Sequence, residues 1–191
     1  MSQRGQPLTD LKFRPPKKLI LYLEISGIFF ISLLGSALHF AFEWFGEWPP
    51  LALIAAVNES VWEHLKLAFW PGMMYALIIY PLLKSKTKNF WIAKTVGLYA
   101  MPIFIIVMFY SHLAIAGKSN LVYDITTFVL AVAVGQLLSY YLMIKDIFQR
   151  RFKIIAIVLL ILIAAAFCLF TFFPPKFPLF RDFVTGKYGI T

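Results

Sequence analysis

Nine consecutive residues, Asn58 to Lys66, bring together side chains that could carry out chemistry. They read Asn-Glu-Ser-Val-Trp-Glu-His-Leu-Lys and stand directly before an uncharged run from Leu67 to Leu83. Carboxylates and imidazoles are good zinc ligands, and a carboxylate that does not bind the metal can act as a general base. Ionisable groups at the edge of a membrane are costly, so this cluster indicates a functional site.

Three roles can be assigned around this motif. Glu59, Glu63 and His64 are the candidate catalytic residues. The candidate metal ligands are His39, His64 and Asp124, and the expected cofactor is a divalent metal such as zinc. Free amides at a helix start and cationic side chains can hold a phosphate or carboxylate. The candidate substrate-binding residues are therefore Asn58, Ser60, Lys66 and Arg181.

Purely structural roles compete with these assignments. Ser60 followed by Glu63 is a capping-box pattern, which satisfies free amides at the start of a helix. Lys66 can pair with Glu63 or extend its amine to the membrane interface. The chain contains neither HExxH nor HxxxH, so the metal prediction rests on residue types alone. Without a metal, Glu59 or Glu63 together with His64 could relay protons or bind a cationic solute.

The elements that position these residues are predicted to be membrane-spanning helices. Of the 191 residues, 61% are hydrophobic and only 14% are charged, too few to cover a soluble surface. The net charge of +9 does not indicate nucleic acid binding, because the basic residues lie in short clusters between apolar runs. The sequence predicts one all-α domain over 1–191, a polytopic transmembrane helical bundle.

Five apolar runs reach the roughly 20 residues that a membrane-spanning helix needs. An interfacial or re-entrant segment is expected over 48–58, because a Pro-Pro pair interrupts the chain there and the apolar run that follows is too short to cross a bilayer. An outer segment is expected over 175–191. The spans are predicted near 19–41, 60–83, 90–115, 122–144 and 154–174.

The basic residues also predict an orientation. Thirteen of the 18 lysines and arginines precede the first span or lie near the second-to-third and fourth-to-fifth connections. Positive residues mark the cytoplasmic side of membrane proteins, so the N-terminus is predicted to be cytoplasmic and the C-terminus extracytoplasmic. His39, His64 and His112 then all lie near the outer ends of spans, as does Asp124.

Three polar residues within the spans are assigned simpler roles. Glu24 and Lys94 lie within a turn or two of the inner edge, so their charged ends are expected to extend to the interface. Gln136 lies deep in the fourth span, where an interhelical hydrogen bond is expected. Ala131 and Gly135 form a small-residue step that suits close helix contact.

The stretch from Pro49 to Pro71, and above all the motif Asn58 to Lys66, resembles an uncharacterised bacterial family of small multi-pass membrane proteins with a domain of unknown function. The ending from Pro178 to Ile190 is similar to the ending of the same family. The resemblance covers most of the chain. It implies a multi-pass protein of the bacterial plasma membrane, and it transfers no reaction or catalytic role.

These observations lead to three hypotheses. The first is an enzyme, a metal-assisted intramembrane hydrolase that acts on a lipid head group or a lipid-linked substrate at the outer face. The second is a small transporter or channel, although few polar residues continue to the depth of the membrane. The third is an accessory subunit of a membrane complex. The expected partners are membrane lipids and either further copies of the chain or another membrane protein, not nucleic acid.

Overall fold

The chain folds into a bundle of five long helices, seen in a computed structural model that describes residues 16–145 and 150–190. Within those ranges no residue belongs to a β-strand. All five helices are long and apolar enough to cross a membrane, as expected for a multi-pass membrane protein. Their ends lie within three residues of the predicted spans. The helices are α1 (Lys17–Trp44), α2 (Val61–Leu83), α3 (Phe90–Ala116), α4 (Leu121–Lys145) and α5 (Lys153–Phe172).

Four of the helices form a closed ring. In this ring α1 packs against α2 and α4, and α3 packs against the same two helices from the opposite side. The fifth helix, α5, lies outside the ring against α3 and, to a smaller extent, α2. Short connections join α2 to α3 and α3 to α4, so these neighbouring helices run in opposite directions. Large apolar side chains such as Leu33 and Ile154 remain 73% exposed, as lipid-facing side chains would be.

Glycines set the closest helix contacts. A Cβ atom on Gly35 of α1 would lie 2.5 Å from the carbonyl oxygen of Leu67 on α2, so only glycine permits this approach. On the other side of the ring, Gly97 of α3 lies against Gly135 of α4 with a similar lack of room. The small-residue step predicted around Gly135 is therefore a site of close helix contact.

The two ends of the bundle differ in chemistry. One end, here called the histidine side, contains the end of α1, the start of α2 and the connection between α3 and α4. It also contains the 3₁₀ helix Pro49–Leu53 between α1 and α2, whose Ala52 is fully buried. The opposite end, here called the lysine side, contains the start of α1, the connection between α2 and α3, and the start of α5.

The expectation that Glu24 and Lys94 reach the interface is wrong. The Lys94 amine lies 2.7 Å from both carboxylate oxygens of Glu24, and the two side chains are 2% and 0% exposed. Gln136 of α4 accepts a further hydrogen bond from Lys94 at 3.4 Å, which is the interhelical bond expected of it. A charge buried alone is far more costly than a charge buried with its partner, so the pair stays within the bundle.

Candidate functional site

The start of α2 is built by the Asn58–Lys66 motif itself. The hydroxyl of Ser60 accepts a hydrogen bond from the Glu63 amide at 3.3 Å and so caps the helix, as predicted. In a complete capping box the Glu63 side chain would accept a hydrogen bond from the Ser60 amide. Here the Ser60 amide donates instead to the side-chain oxygen of Asn58 at 2.9 Å. Glu59 is thereby fixed in the last turn before the helix, with its side chain directed away from the cap.

The carboxylate of Glu59 meets two imidazole rings from different helices. His39 Nε2 on α1 lies 3.1 Å from His64 Nε2 on α2. One oxygen of Glu59 lies 3.6 Å from His39 Nε2, and the other lies 3.4 Å from His64 Nε2. These donor atoms form a group that could hold a metal ion. We call His39, Glu59 and His64 the histidine–glutamate cluster.

Close helix packing is the reason that the two histidines meet. His39 lies one helical turn beyond Gly35, and His64 lies three residues before Leu67. The contact between Gly35 and the Leu67 carbonyl therefore holds α1 and α2 at short range directly beside the cluster. Sequence spacing placed Gly35 next to His39 on the helix, but it gave no sign that Gly35 faces α2.

Hydrogen bonding defines the protonation of His64. Its Nδ1 lies 2.8 Å from the Ser60 carbonyl oxygen, which can only accept, so Nδ1 carries the proton. In the neutral ring Nε2 then has a free lone pair directed at His39 and Glu59. Histidines that bind metals are commonly oriented by an acceptor of this kind on the ring nitrogen that faces away from the metal.

The charge of Glu59 is also defined. The carboxylate interacts most strongly with the imidazole ring of His39 and then with that of His64. Together they hold the pKa of Glu59 well below its usual range, although partial burial acts in the opposite direction. The side chain remains 47% exposed, whereas the histidines are 28% and 32% exposed. Glu59 is therefore ionised, and the cluster is open on one side.

Asp124 and His112 lie beside the cluster but outside it. Asp124, in the first turn of α4, is close enough to interact electrostatically with His64 and His112. Its Oδ1 atom is buried and has no hydrogen-bond partner within residues 16–145 and 150–190. The ring of His112 stacks on Tyr123 at a centroid distance of 3.9 Å. The structure thus leaves a buried carboxylate oxygen available near His64.

Glu63 and Lys66, one turn further into the protein, belong to a different network. The Lys66 amine contacts the Glu63 carboxylate and donates to the Ala52 carbonyl at 2.8 Å and to Thr171 Oγ1 at 2.9 Å. The Lys66 amine contacts Oε2 of Glu63, which also accepts a hydrogen bond from the Val57 amide at 3.2 Å. Oε1 of Glu63 accepts a hydrogen bond from the Thr171 hydroxyl at 2.9 Å. All three protons of the Lys66 ammonium are used. We call this group the Glu63–Lys66 network.

The segment after α5 covers the start of α2. The Asn58 amide nitrogen donates to the Gly189 carbonyl at 2.9 Å, and the Glu59 backbone amide donates to Asp182 at 3.4 Å. The other oxygen of Asp182 accepts from the amides of Val184 and Thr185 at 2.6 and 2.8 Å. The segment therefore holds the backbone beside Glu59 at two points.

Asp182 remains ionised in this position. Its burial favours the neutral form, but the amides of Thr185, Val184 and Glu59 donate hydrogen bonds to the carboxylate, and these lower its pKa below the usual value. A lone aspartate in a proline-rich ending carried no signal of this role. Thr171 was missed for the same reason, because a threonine near the end of an apolar run is ordinary in a helix.

The site residues predicted from the sequence do not form one site in the structure. His39, Glu59 and His64 come together, and Asp124 lies near them. Glu63 and Lys66 pair with each other in the buried network. Asn58 and Ser60 organise the backbone around Glu59. The guanidinium of Arg181 is exposed and donates to the Gly186 carbonyl within its own turn at 3.4 Å.

Comparison with known proteins gives a family and no activity. Residues 11–190 match a family described as "Family of unknown function (DUF6512)". Searches of curated proteins and of solved structures found no match.

Proposed function

The chain belongs to DUF6512, a family of unknown function, and we propose from its own residues that the histidine–glutamate cluster binds a divalent metal ion such as zinc. The observation that carries the proposal is the set of distances between its donor atoms. Zinc held tetrahedrally at about 2.0–2.1 Å places its ligand atoms about 3.3 Å apart. His39 Nε2 and His64 Nε2 lie 3.1 Å apart, close to that value, and one donor atom from each of His39, Glu59 and His64 lies within 4.8 Å of the others.

The protonation of the cluster supports the same proposal. His64 offers a lone pair at Nε2 because its Nδ1 proton is held by the Ser60 carbonyl. A hydrogen bond between the two Nε2 atoms would require the proton of His39 on that side. A cation between the rings lets both Nε2 atoms act as electron-pair donors.

We propose further that the metal serves hydrolysis of an ester or phosphoester in a lipid head group or lipid-linked substrate. With His39, Glu59 and His64 as its ligands, a bound zinc ion would leave room for water and would lower the pKa of that water. Asp124 is the general base, because its buried oxygen is free and lies near His64. This assignment replaces Glu63 as the base, since Glu63 is paired with Lys66.

The proposed reaction balances without a further reactant. Asp124 removes a proton from the water, whose oxygen forms a bond to the phosphorus or carbonyl carbon of the substrate. The bond to the ester oxygen breaks, and that oxygen leaves with the electron pair and receives the proton from Asp124. The position of the cluster at one end of the apolar helices supports this substrate class, because the ends of membrane-spanning helices lie near the lipid head groups.

The proposal includes an orientation and a location. With the lysine side in the cytoplasm, the histidine side faces outward at the bacterial plasma membrane. A reporter enzyme that is active only outside the cytoplasm, fused after residue 190, is expected to be active. A reporter placed in the connection between α2 and α3 is expected to be inactive. The reverse pattern would overturn the orientation.

Metal content tests the first step. Protein purified in detergent without a histidine tag is expected to carry about one zinc or other divalent ion per chain. His64→Ala should lose that ion, and His112→Ala should retain it, because His112 lies outside the cluster. Metal-free wild-type protein that also fails to bind added zinc, nickel, manganese or iron would contradict the proposal.

Product analysis tests the second step. The metal-loaded protein is incubated with a total lipid extract, and the released head groups and lipids are identified by mass spectrometry. Asp124→Asn should retain the metal and lose product formation by about a hundredfold or more, as expected for removal of a general base. Product formation that persists in Asp124→Asn, or in metal-free protein, would show that the reaction runs by another route.

A second candidate function is a small transporter or channel. The observation that favours it is the buried set of Glu24, Lys94 and Gln136, because ionisable residues within a membrane often mark an ion or proton path. Solute or proton flux into proteoliposomes that is lost in both Glu24→Gln and Glu59→Gln would favour transport over hydrolysis.

A further inference from the structure

A cavity of about 390 Å³ opens on the lysine side of the bundle, at the opposite end of α2 from the histidine–glutamate cluster. It is formed where α2 ends, α3 begins and α5 begins. Among the described residues that line it, none is acidic. Its lining includes Tyr80, Lys84, Thr87, Lys88, Trp91 and Lys153.

The cavity gathers positive charge from side chains. Lys84 and Lys88 come from the connection between α2 and α3, and Lys153 is the first residue of α5. Several positive charges around one small space favour the binding of an anion.

Two helix starts add to the positive charge. The first turn of α3, Phe90 to Ile92, lines the cavity, and Asn89 before it makes no side-chain capping bond to that turn. The first turn of α5 has no acidic residue and begins with a lysine, which is the unfavourable sign for that end of the helix dipole. The backbone therefore has the same preference for an anion as the lysines.

Aromatic rings form the other part of the wall. Tyr80 and Trp91 lie 5.0 Å apart between ring centroids, and Phe90 packs against both. Aromatic rings beside lysines are typical of the boundary between acyl chains and head groups. The volume of the cavity is near the lower end of the range for ligand-binding pockets. It therefore suits a small chemical group and not a large soluble cofactor.

We propose that this cavity binds the phosphate group of an anionic phospholipid such as phosphatidylglycerol, with the lipid's acyl chains lying along the apolar helices. Lys84 and Lys153 hold the phosphate, and Tyr80 and Trp91 contact the glycerol region. Basic pockets between helices at this membrane level are suited to such head groups. The proposal does not depend on the metal site at the other end of the bundle.

The test compares lipid binding by native mass spectrometry of the detergent-solubilised full chain. Wild-type protein is titrated with phosphatidylglycerol and with phosphatidylcholine of the same acyl chains. Phosphatidylglycerol should bind more tightly, and Lys84→Gln with Lys153→Gln should weaken it about thirtyfold. The matched control is Lys118→Gln with Lys187→Gln, two exposed lysines of the histidine side, which should bind as wild type does. Unchanged melting temperatures show that the variants are folded.

Inorganic phosphate separates the two sources of the anion. If phosphatidylglycerol binding persists in millimolar phosphate, the ligand is the lipid. If phosphate displaces the lipid completely, or if both lipids bind equally, the cavity does not recognise an anionic lipid and the proposal is overturned. Wild-type affinity in the double variant would overturn it as well.

Discussion

The histidine–glutamate cluster and the Glu63–Lys66 network share one short motif, yet they differ in how their polar atoms are used. In the network, Lys66 is fully buried and each of its protons has an acceptor. In the cluster, Glu59 is half-exposed and two imidazole nitrogens face each other. The polar atoms of the Glu63–Lys66 network already have partners, so the network has no free group to bind a ligand. The histidine–glutamate cluster brings three possible ligand atoms close together.

The difference teaches that a single polar motif can serve two purposes. Glu63 and Lys66 fix the start of α2 to the segment before it and to Thr171 of α5. Glu59 and His64 use that fixed start to present their side chains to α1. The two pairs alternate along the motif, and Glu63 of the structural pair directly precedes His64 of the chemical pair.

The largest expected effect comes from breaking the network. Lys66→Met leaves the Glu63 carboxylate buried without its cation, which should lower the free energy of unfolding by about 3–5 kcal/mol. Denaturation in mixed micelles, followed by tryptophan fluorescence, measures the change. Glu59→Gln, at a half-exposed position, should change it by less than about 1 kcal/mol. If the two substitutions destabilised the protein equally, the network would not be more important for stability than the cluster.

The next effect concerns metal binding by the cluster. Zinc at a hundred times its dissociation constant should stabilise wild-type protein by about 2.7 kcal/mol, because it binds only the folded state. Glu59→Gln should abolish this stabilisation. Glu43→Gln changes an exposed carboxylate on α1 that is not part of the cluster, and should leave it intact. Thermal unfolding with and without zinc gives the values, and a full zinc response in Glu59→Gln would count against the cluster.

A smaller effect is expected from the helix contact beside the cluster. Gly35→Ala introduces a Cβ atom against the Leu67 carbonyl, so α1 and α2 must move apart. A shift of a few tenths of an ångström misaligns His39 and His64, and zinc affinity should fall about tenfold, as for loss of a supporting residue. Ser36→Ala, at an exposed neighbouring position, is the control for titration calorimetry. Unaltered affinity in Gly35→Ala would mean that the cluster tolerates a looser contact.

The smallest effect concerns the segment that covers Glu59. The pKa of Asp182 is lower in the folded protein, so its stabilising effect is present above the pKa of the unfolded chain, about 4, and is lost as pH falls through the folded value. Asp182→Asn should loosen the segment at neutral pH by about 1 kcal/mol. Trypsin cleavage after Arg181 and Lys187 should then be about fivefold faster, and the wild-type segment should become sensitive to pepsin only in strong acid. Cleavage rates equal to wild type would show that Asp182 does not hold the segment.

The helices could be predicted because their signals are local. Apolar runs of sufficient length, the Ser60 cap and the prolines at 49 and 50 each act within a few residues. The pairing of Glu24 with Lys94 could not be predicted, because the two residues are 70 positions apart and the sequence gives no sign of which helix faces share the interior of the ring. Each charge alone was expected at the interface, and only the partner makes burial favourable.

The candidate site shows the same limit. The sequence placed His39, His64 and Asp124 at one membrane level, but it did not distinguish which carboxylate joins the two histidines. That choice depends on the backbone before α2, where Asn58 and Ser60 direct Glu59 outward and Glu63 inward. Residue types and helical spacing predict a neighbourhood, whereas tertiary contacts select the members of the cluster.

The contact between Glu59 and Asp182 joins positions that are 123 residues apart. During synthesis the two histidines and Glu59 leave the ribosome long before Asp182 and Gly189 are made. Helices α1 and α2 can therefore meet early, but the backbone beside Glu59 acquires its final support only after α5 has been inserted. The cluster can thus form early, but its support is complete only when the segment after the last helix reaches the start of the second.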